Sequence, residues 1–408
     1  MAFLLFLSFF FLFCKFIKRK DLLVAFLFFF YAVTLCMSLI LSHYEDQHIE
    51  IIPALYVGFT LLFWFIPFQG IRPDLVSRLE CNQRHLYMLA VVLLVIHMAA
   101  IGESIARLGQ FLTLDNFDRA KRIVSSEGFY EDAQASGLAG YLILFRPLYI
   151  INLVLFFVFL KNHWSKLVSS LLLLTSLSYL LHDITAFGRD AMVFWPLNFT
   201  ILFALFSKSL SPKQCKNIKA GLLVLSVMVC CGFLFVTFSR FGEEMTEFVI
   251  SYAGQQLGNF CDAWNIDITP YSILPKTSET IARNLFGMTL HRPDPEALLD
   301  GMGQSSEYNV FGYFLKEFIW SIGRAGTLVL SYFFYVFATV IRHGLIRYRD
   351  IWSFLILILL FQIPLHGMFY YRQLLSWDFA YVCFLLFAVG MHIRFIYSAR
   401  KTDCYGYK

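Results

Sequence analysis

The feature that most constrains this chain is a succession of long, almost uncharged apolar stretches. An α-helix needs about 20 apolar residues to cross the hydrocarbon core of a bilayer. Since backbone polar groups in lipid must be satisfied inside each segment, stretches of this kind become helices. The sequence therefore predicts an all-α, polytopic integral membrane protein with about eleven transmembrane helices. The predicted spans are residues 1–17, 22–42, 51–69, 86–102, 141–160, 167–183, 190–207, 220–238, 325–341, 351–367 and 379–396.

Composition excludes the other broad classes of protein. Hydrophobic residues make up 59% of the 408 residues and charged residues 15%, against about 45–50% and about 25% in soluble domains. The mean hydropathy of +0.65 excludes a soluble or disordered chain, and the long apolar runs exclude an outer-membrane barrel, whose strands are short and alternating. The net charge of +5 does not indicate a nucleic-acid partner, because in membrane proteins the location of charges matters more than their sum.

The positions of Lys and Arg predict the orientation of the spans. Most of the 33 basic residues fall in one set of connections, which the positive-inside rule places in the cytoplasm. The N-terminus then faces out and the C-terminus faces in. We predict a single membrane domain over residues 1–408, with longer outer connections at 103–140 and 239–324. The basic connections are residues 15–20, 72–84, 161–166, 208–219, 342–349 and 394–408.

Ionisable residues cluster in a short outer turn between two predicted spans. His182, Asp183, Arg189 and Asp190 stand in the stretch SYLLHDITAFGRDAMVFWP. Charged groups near membrane depth are costly and are candidates for function. The structural alternative is an Asp–Arg salt bridge that holds a hairpin together.

Arginines recur at the outer ends of the predicted spans. Each alone also fits a snorkelling anchor at the interface. Arg binds phosphate through two parallel hydrogen bonds, so several of them at one depth predict a site for a lipid pyrophosphate. The candidates are Arg146, Arg189, Arg240, Arg324 and Arg372.

Signatures of cofactor use do not occur in the sequence. We find no CxxC or HExxH pattern and no glycine-rich nucleotide-binding motif. We therefore expect neither a metal nor another cofactor.

Four segments of the chain resemble the O-antigen polymerase (Wzy) family of oligosaccharide repeat-unit polymerases. They are the TAFGRDAMVFW turn, SRFGEE, SYAGQQLGNF, and EYNVFGYFLKEFIWSIGRAGTLVLSYFFY. The resemblance implies a multi-pass enzyme of the bacterial inner membrane whose active site and two long outer loops face the periplasm. It further implies transfer of a glycan from undecaprenyl pyrophosphate to a sugar hydroxyl of the next lipid-linked unit. Membrane lipids and a chain-length-regulating co-polymerase are the further partners to consider.

The resemblance also implies roles for the residues above. The arginines would stabilise the departing pyrophosphate, and a carboxylate or His would take the proton of the acceptor hydroxyl. The candidates for this base are Asp183, Glu243, His182 and Asp190, and Asp183 is ranked first. Asp190 is adjacent to Arg189, with which it can pair instead.

Two other functions remain open at this point. An O-antigen ligase would use the same lipid-linked donor. A flippase or other transporter of lipid-linked oligosaccharides belongs to a different class, and such proteins usually show repeated halves and charges at the bilayer midplane. A scaffold protein would leave the arginines unexplained.

The predicted orientation can be tested with reporter fusions. A reporter that is active only in the periplasm, fused after about residue 120 and after about residue 280, should be active at both sites because both lie in outer connections. A reporter that is active only in the cytoplasm should be inactive at the same positions. A silent periplasmic fusion at either site would contradict the orientation.

Overall fold

The regular secondary structure of the chain is helical, which confirms the all-α class. The computed structural model describes residues 2–44, 49–112, 145–185, 190–241, 245–265, 312–369 and 377–405. Short 3₁₀ turns occur at Ile66–Phe68, Arg146–Leu148 and Ser207–Ser209. The helices are α1 (Ala2–Lys18), α2 (Leu22–Tyr44), α3 (Ile51–Phe65), α4 (Pro73–Ser77), α5 (Gln83–Leu112), α6 (Tyr149–Lys161), α7 (Lys166–Ser176), α8 (Ser178–Thr185), α9 (Asp190–Phe206), α10 (Pro212–Phe241), α11 (Met245–Asn265), α12 (Tyr313–Tyr348), α13 (Ile351–His366) and α14 (Trp377–Tyr405).

Six helical segments in the described ranges are long and apolar enough to cross a membrane, and each coincides with a predicted span. The helix α13 is apolar but shorter. The chain therefore has the helices of a membrane protein, while the number of about eleven spans stays a prediction. The six segments are Leu22–Tyr44, Ile51–Ser77, Gln83–Ala106, Asp190–Ser209, Ile322–Tyr348 and Ala380–Ser398.

Some predicted boundaries differ from the structure. The predicted span at 167–183 is two helices, α7 and α8, separated at Leu177. The helix α5 continues to Leu112, ten residues past the predicted end of its span at 102. Helix α11 and the first part of α12 lie inside the predicted outer connection 239–324. Residues 113–144 and 266–311 of the two long outer connections lie outside the described residues.

The chain divides into two compact units. The first unit comprises Met1–Arg72, Glu243–Arg347 and Ile356–Phe379, and the second comprises Pro73–Gly242, Tyr348–Leu355 and Ala380–Lys408. The prediction of one membrane domain concerns the whole chain and stays a prediction.

Aromatic side chains form the core of the first unit. The buried ring of Phe28 lies 5.2 Å from those of Phe9 and Phe65 in edge-on contacts. Such contacts add to the free energy gained by burying the rings. Helix α11 packs closely on α2, because a Cβ atom at Gly254 would lie only 2.7 Å from the backbone oxygen of Met37. Glycine at this position is what lets the two helices approach.

Charged side chains hold the helix ends of the first unit. The buried carboxylate of Asp21 directly precedes α2 and accepts hydrogen bonds from Arg72 at 2.7 Å and from the backbone N–H of Gly70 at 3.2 Å. Arg342 donates to the carbonyl oxygen of Ile66 at 3.3 Å. Two connections predicted to be cytoplasmic, around residues 19–21 and 70–72, are thereby joined.

Helix α6 is the centre of the second unit. All its residues from Tyr149 to Phe159 are buried, as expected for a helix that is apolar on every side. Its two polar groups bond to neighbouring helices: Asn152 donates to Thr175 at 3.1 Å, and the Tyr149 hydroxyl accepts from Asn198 at 2.9 Å. These bonds pair an amide N–H of Asn152 and the hydroxyl oxygen of Tyr149, which would be costly to bury unpaired.

The predicted cytoplasmic connections also meet in the second unit. Lys161 donates to the carbonyl oxygens of Val76 and Leu79 at 3.1 and 3.2 Å. The backbone N–H of Glu80 donates to the backbone carbonyl oxygen of Arg349 at 2.8 Å. Within each unit, therefore, connections assigned to one side from their basic residues contact one another.

In the second unit, one further buried carboxylate, that of Asp350, caps the first residues of α13. Asp350 precedes α13 and accepts from the backbone N–H groups of Trp352 and Ser353, at 3.1 and 3.0 Å. The ring nitrogen Nδ1 of His392 lies 2.8 Å from the same carboxylate. A carboxylate at this position satisfies the unpaired N–H groups and the dipole of the first helical turn.

Candidate functional site

Arg146 lies at the beginning of a short 3₁₀ turn that leads into α6, and its residue surface is only 8% exposed. The turn is held from α5, because Nε2 of the buried His97 lies 3.2 Å from the backbone oxygen of Arg146. The other ring nitrogen of His97 lies 2.9 Å from the carbonyl oxygen of Leu93. Arg146, one of the arginines predicted to bind pyrophosphate, is thus enclosed by protein on a turn that His97 holds in place.

Asp183 is also enclosed, with 5% of its surface exposed. Its carboxylate oxygen Oδ2 accepts a hydrogen bond of 2.8 Å from the backbone N–H of Ala191, in the first turn of α9. This bond satisfies an N–H group that has no partner inside the helix, and it places negative charge at the positive end of the helix dipole. Asp183 therefore connects α8 to the beginning of α9.

The elements that carry Arg146 and Asp183 are neighbours. Helix α8 packs against α5 and against the 3₁₀ turn. The rings of Tyr149 and Tyr179, one from α6 and one from α8, stack with their centres 4.4 Å apart. The second unit thus brings an enclosed guanidinium and an enclosed carboxylate to adjoining elements.

Among the other predicted residues, the structure describes the side chains of His182 and Asp190 but not that of Arg240. His182 is half-buried beside Asp183, and Asp190 is half-buried as the first residue of α9. Arg240 belongs to the last turn of α10, but its side chain lies outside what the structure describes. Arg189, Arg372 and Glu243 also lie outside the described residues.

Arg324 belongs to the first unit and is exposed. It follows Gly323, whose φ of 75° interrupts the helical backbone of α12. The guanidinium carbon lies 4.2 Å from the centre of the Trp264 ring, and one of its N–H groups donates to the Trp264 backbone oxygen. The Tyr56 hydroxyl donates to the backbone oxygen of Arg324 at 2.6 Å. The predicted group of five arginines stays a prediction, since Arg146 and Arg324 lie in separate units.

A second polar cluster, in the first unit, was not expected from the sequence. The backbone N–H of Gly312 lies 3.2 Å from both Oε1 of Gln256 and the carbonyl oxygen of Phe369. The backbone N–H of Phe314 donates to Gly367 at 2.9 Å. The beginning of α12 is thereby bonded to α11 and to the turn that follows α13.

Lys316 lies next to this junction and is only 1% exposed. Its ammonium group stands 4.8 Å from the ring centre of Trp320, one turn further along α12. Gly312 has a φ of 147°, and a Cβ there would come within 2.7 Å of the Lys316 side chain. Periodicity could not identify this lysine as buried, because it stands beside Glu317 in a segment that looked like an exposed loop.

The electrostatic state of Lys316 is unusual. It precedes the candidate span Ile322–Tyr348, and burial lowers the pKa of its ammonium group to about 8, against the opposing effect of Glu317. A positive charge is also disfavoured in the first turn of a helix. Burial of the Lys316 ammonium group therefore carries an electrostatic cost, which marks the residue as a candidate for function.

The described residues contain no group of three or more His, Cys, Asp or Glu side chains that could hold a metal ion. Comparison with family models, curated proteins and solved structures finds no match to the chain.

Substitution of Lys316 by Met should change the pH dependence of stability. The pKa of Lys316 is about 8 in the folded chain, against 10.5 ordinarily. Between these values the unfolded chain binds more protons, so the free energy of unfolding rises with pH, by about 3 kcal/mol across the window. The Met variant should lack this rise and should melt at a higher temperature near pH 7.5.

Thermal melting of the purified chain in detergent, at about pH 7.5 and about pH 10, measures the effect. Lys208→Met is the matched control, because Lys208 is largely exposed and pairs with the exposed Asp74. The control should keep the parental pH dependence. A Lys316→Met variant with the parental pH dependence would show that the lysine is not perturbed in this way.

Proposed function

We propose that this chain is a membrane glycosyltransferase that polymerises O-antigen, or related surface polysaccharide, repeat units in the bacterial inner membrane. In this proposal about eleven helices cross the bilayer, and the connections 103–140 and 239–324 face the periplasm together with the active site. Two findings support it: six helical segments that are long and apolar enough to cross a membrane, and the contacts, within each unit, between connections that the basic residues assign to the cytoplasm.

The proposed reaction joins two lipid-linked glycans. The acceptor hydroxyl gives its proton to a base, and its oxygen bonds to the anomeric carbon of the growing chain. The bond from that carbon to the pyrophosphate oxygen breaks, and undecaprenyl pyrophosphate leaves with the electron pair. Because the donor bond is already activated, the proposal includes neither a nucleotide nor another cofactor.

The observation that carries the proposal is the enclosure of Arg146 and Asp183 on adjoining elements of the second unit. Charged groups are expensive to hold in an apolar surrounding. In such a surrounding, however, a fixed guanidinium stabilises developing negative charge far more than in water. Arg146 would therefore act on the leaving pyrophosphate, and Arg189, Arg240, Arg324 and Arg372 are the further candidates for binding it.

Asp183 remains the first candidate for the base, followed by Glu243, His182 and Asp190. Its hydrogen bond to Ala191 gives Asp183 a structural role as well. A substitution that tests catalysis must therefore keep an oxygen acceptor for that N–H group.

The lipopolysaccharide profile of a deletion strain, with complementation by the chain, tests the proposed function. Loss of a polymerase should leave core bearing a single repeat unit. Bare core with polymer still on the carrier lipid would indicate a ligase instead, and neither species at the surface would indicate a flippase. Polymer formation by the purified chain from lipid-linked units is the direct measurement.

Two substitutions of Asp183 separate its proposed roles. Asp183→Asn keeps an oxygen that can accept from Ala191 but removes the basic carboxylate, so turnover should fall by roughly 10²–10⁴-fold while the melting temperature changes little. Asp183→Ala removes both, and it should also destabilise the chain by about 1 kcal/mol, as for loss of a helix cap. Turnover and melting of the purified variants are the measurements. An Asn variant with near-parental turnover would exclude Asp183 as the base.

A further inference from the structure

Two candidate membrane helices of the first unit run side by side in the same direction. Tyr56 near the beginning of α3 bonds to Arg324, and Trp64 near its end donates to Ser331 at 2.9 Å. Arg342 then reaches Ile66 beyond the end of α3. At ~1.5 Å per residue, Arg324 and Arg342 are ~27 Å apart along α12, close to the ~30 Å hydrocarbon thickness of a bilayer. A bilayer crossed by α12 would therefore have Arg324 near one edge and Arg342 near the other.

At one edge, the Arg324 side chain is held ready to bind an anion. Its guanidinium is stacked on Trp264, and one N–H group donates to the Trp264 carbonyl. These contacts fix the plane of the guanidinium, while the side chain remains exposed. A planar fork fixed in this way binds a phosphate group with less loss of conformational entropy than a mobile one.

Below Arg324, aromatic rings line the seam between the two helices. Phe63 lies 5.1 Å from Phe59 on α3 and 6.2 Å from Tyr332 on α12, both in edge-on contacts. Phe59 is 57% exposed and Tyr332 is 54% exposed. Tyr332 lies ~12 Å below Arg324 along the helix, so a phenol ring faces outward well inside the hydrocarbon region. Tyrosine is favoured at the membrane interface rather than at such depth.

We propose that this seam, lined by Tyr56, Phe59, Phe63 and Tyr332, binds the polyprenyl chain of a phosphate-bearing lipid whose phosphate lies on Arg324. The proposal rests on the proposed function for the identity of the lipid, and it adds the surface that holds the carrier's tail. Charge complementarity fixes the end at which the phosphate binds. The length of the seam and its depth in the bilayer suit a single chain that extends down from that end.

The aromatic lining favours a polyprenyl chain over the acyl chains of ordinary phospholipids. Flat rings set edge to edge offer π faces to the C–H groups and double bonds of an unsaturated, branched chain. Ordinary lipid tails pack as well on isolated side chains, and the exposed surface of α12 elsewhere carries such residues as Val329, Val340 and Phe333. The seam differs because its rings contact one another across two helices. A row of rings beneath a fixed arginine therefore indicates one kind of lipid.

Photolabelling tests the seam directly. The purified chain in nanodiscs of zwitterionic lipid is labelled with a polyprenyl pyrophosphate that carries a diazirine in its tail. We expect the label on α3 and on the part of α12 that follows Gly323. Phe59→Leu combined with Tyr332→Leu should reduce labelling by roughly tenfold, as the loss of two ring contacts implies. Arg324→Gln should reduce it as well.

Phe333→Leu is the matched control, because Phe333 is 64% exposed, adjacent to Tyr332, and directed about 100° away around the helix. It should label like the parent. Undiminished labelling of the double variant, or equal competition by phosphatidylglycerol, overturns the proposal. A chain that labels as expected but forms no polymer contradicts the proposed function alone. A double variant that labels and polymerises like the parent contradicts the seam alone.

Discussion

The structure depends on one constraint, which is that a helix in lipid leaves its terminal N–H and C=O groups unsatisfied. In this chain, charged side chains of the appropriate sign bond to these backbone groups. Carboxylates stand at helix beginnings, as Asp183 does before α9 and Asp350 before α13. Cations bond to the carbonyl oxygens that follow other helices, as Lys161 and Arg342 do. The same contacts join neighbouring connections, so the bonds that satisfy the helix ends also hold each unit together.

This constraint separates two kinds of buried charge. A capping carboxylate has a structural reason to be buried, because it offsets a helix dipole and bonds to backbone N–H groups. The helix dipole gives Arg146 and Lys316 no such reason, since each stands at the beginning of a helical segment, where positive charge is unfavourable. Their burial is therefore the more informative about function. Asp183 belongs to the first kind by its contact, and its catalytic role is a separate proposal.

Hydropathy alone predicted the all-α class and the six helical segments that are long and apolar enough to cross a membrane, because apolar length is what a bilayer selects. It did not predict the division of 167–183 at Leu177 or the helix α11, which depend on tertiary contacts. The candidate site was predictable only in part. Arg146 was recognised because it interrupts an apolar stretch, whereas Lys316 was missed because its neighbours are polar. No local pattern could predict that Gly312 bonds to Gln256 and Phe369.

The interruption at Gly323 divides α12 into two parts that meet different structural requirements. The part after the interruption must match a bilayer whose thickness hardly varies, and its partners on α3 fix its tilt and depth. The part before it, which carries Lys316, is relieved of that requirement and can take its direction from the polar cluster around Gly312. The two parts still share a partner, because the rings of Phe314 and Phe318 contact Trp64 on α3, with centres 4.8 and 5.9 Å away. The interruption therefore lets the two parts of α12 take different directions, while the aromatic cluster around Trp64, which also contacts Phe334 at 3.9 Å, holds both parts on α3.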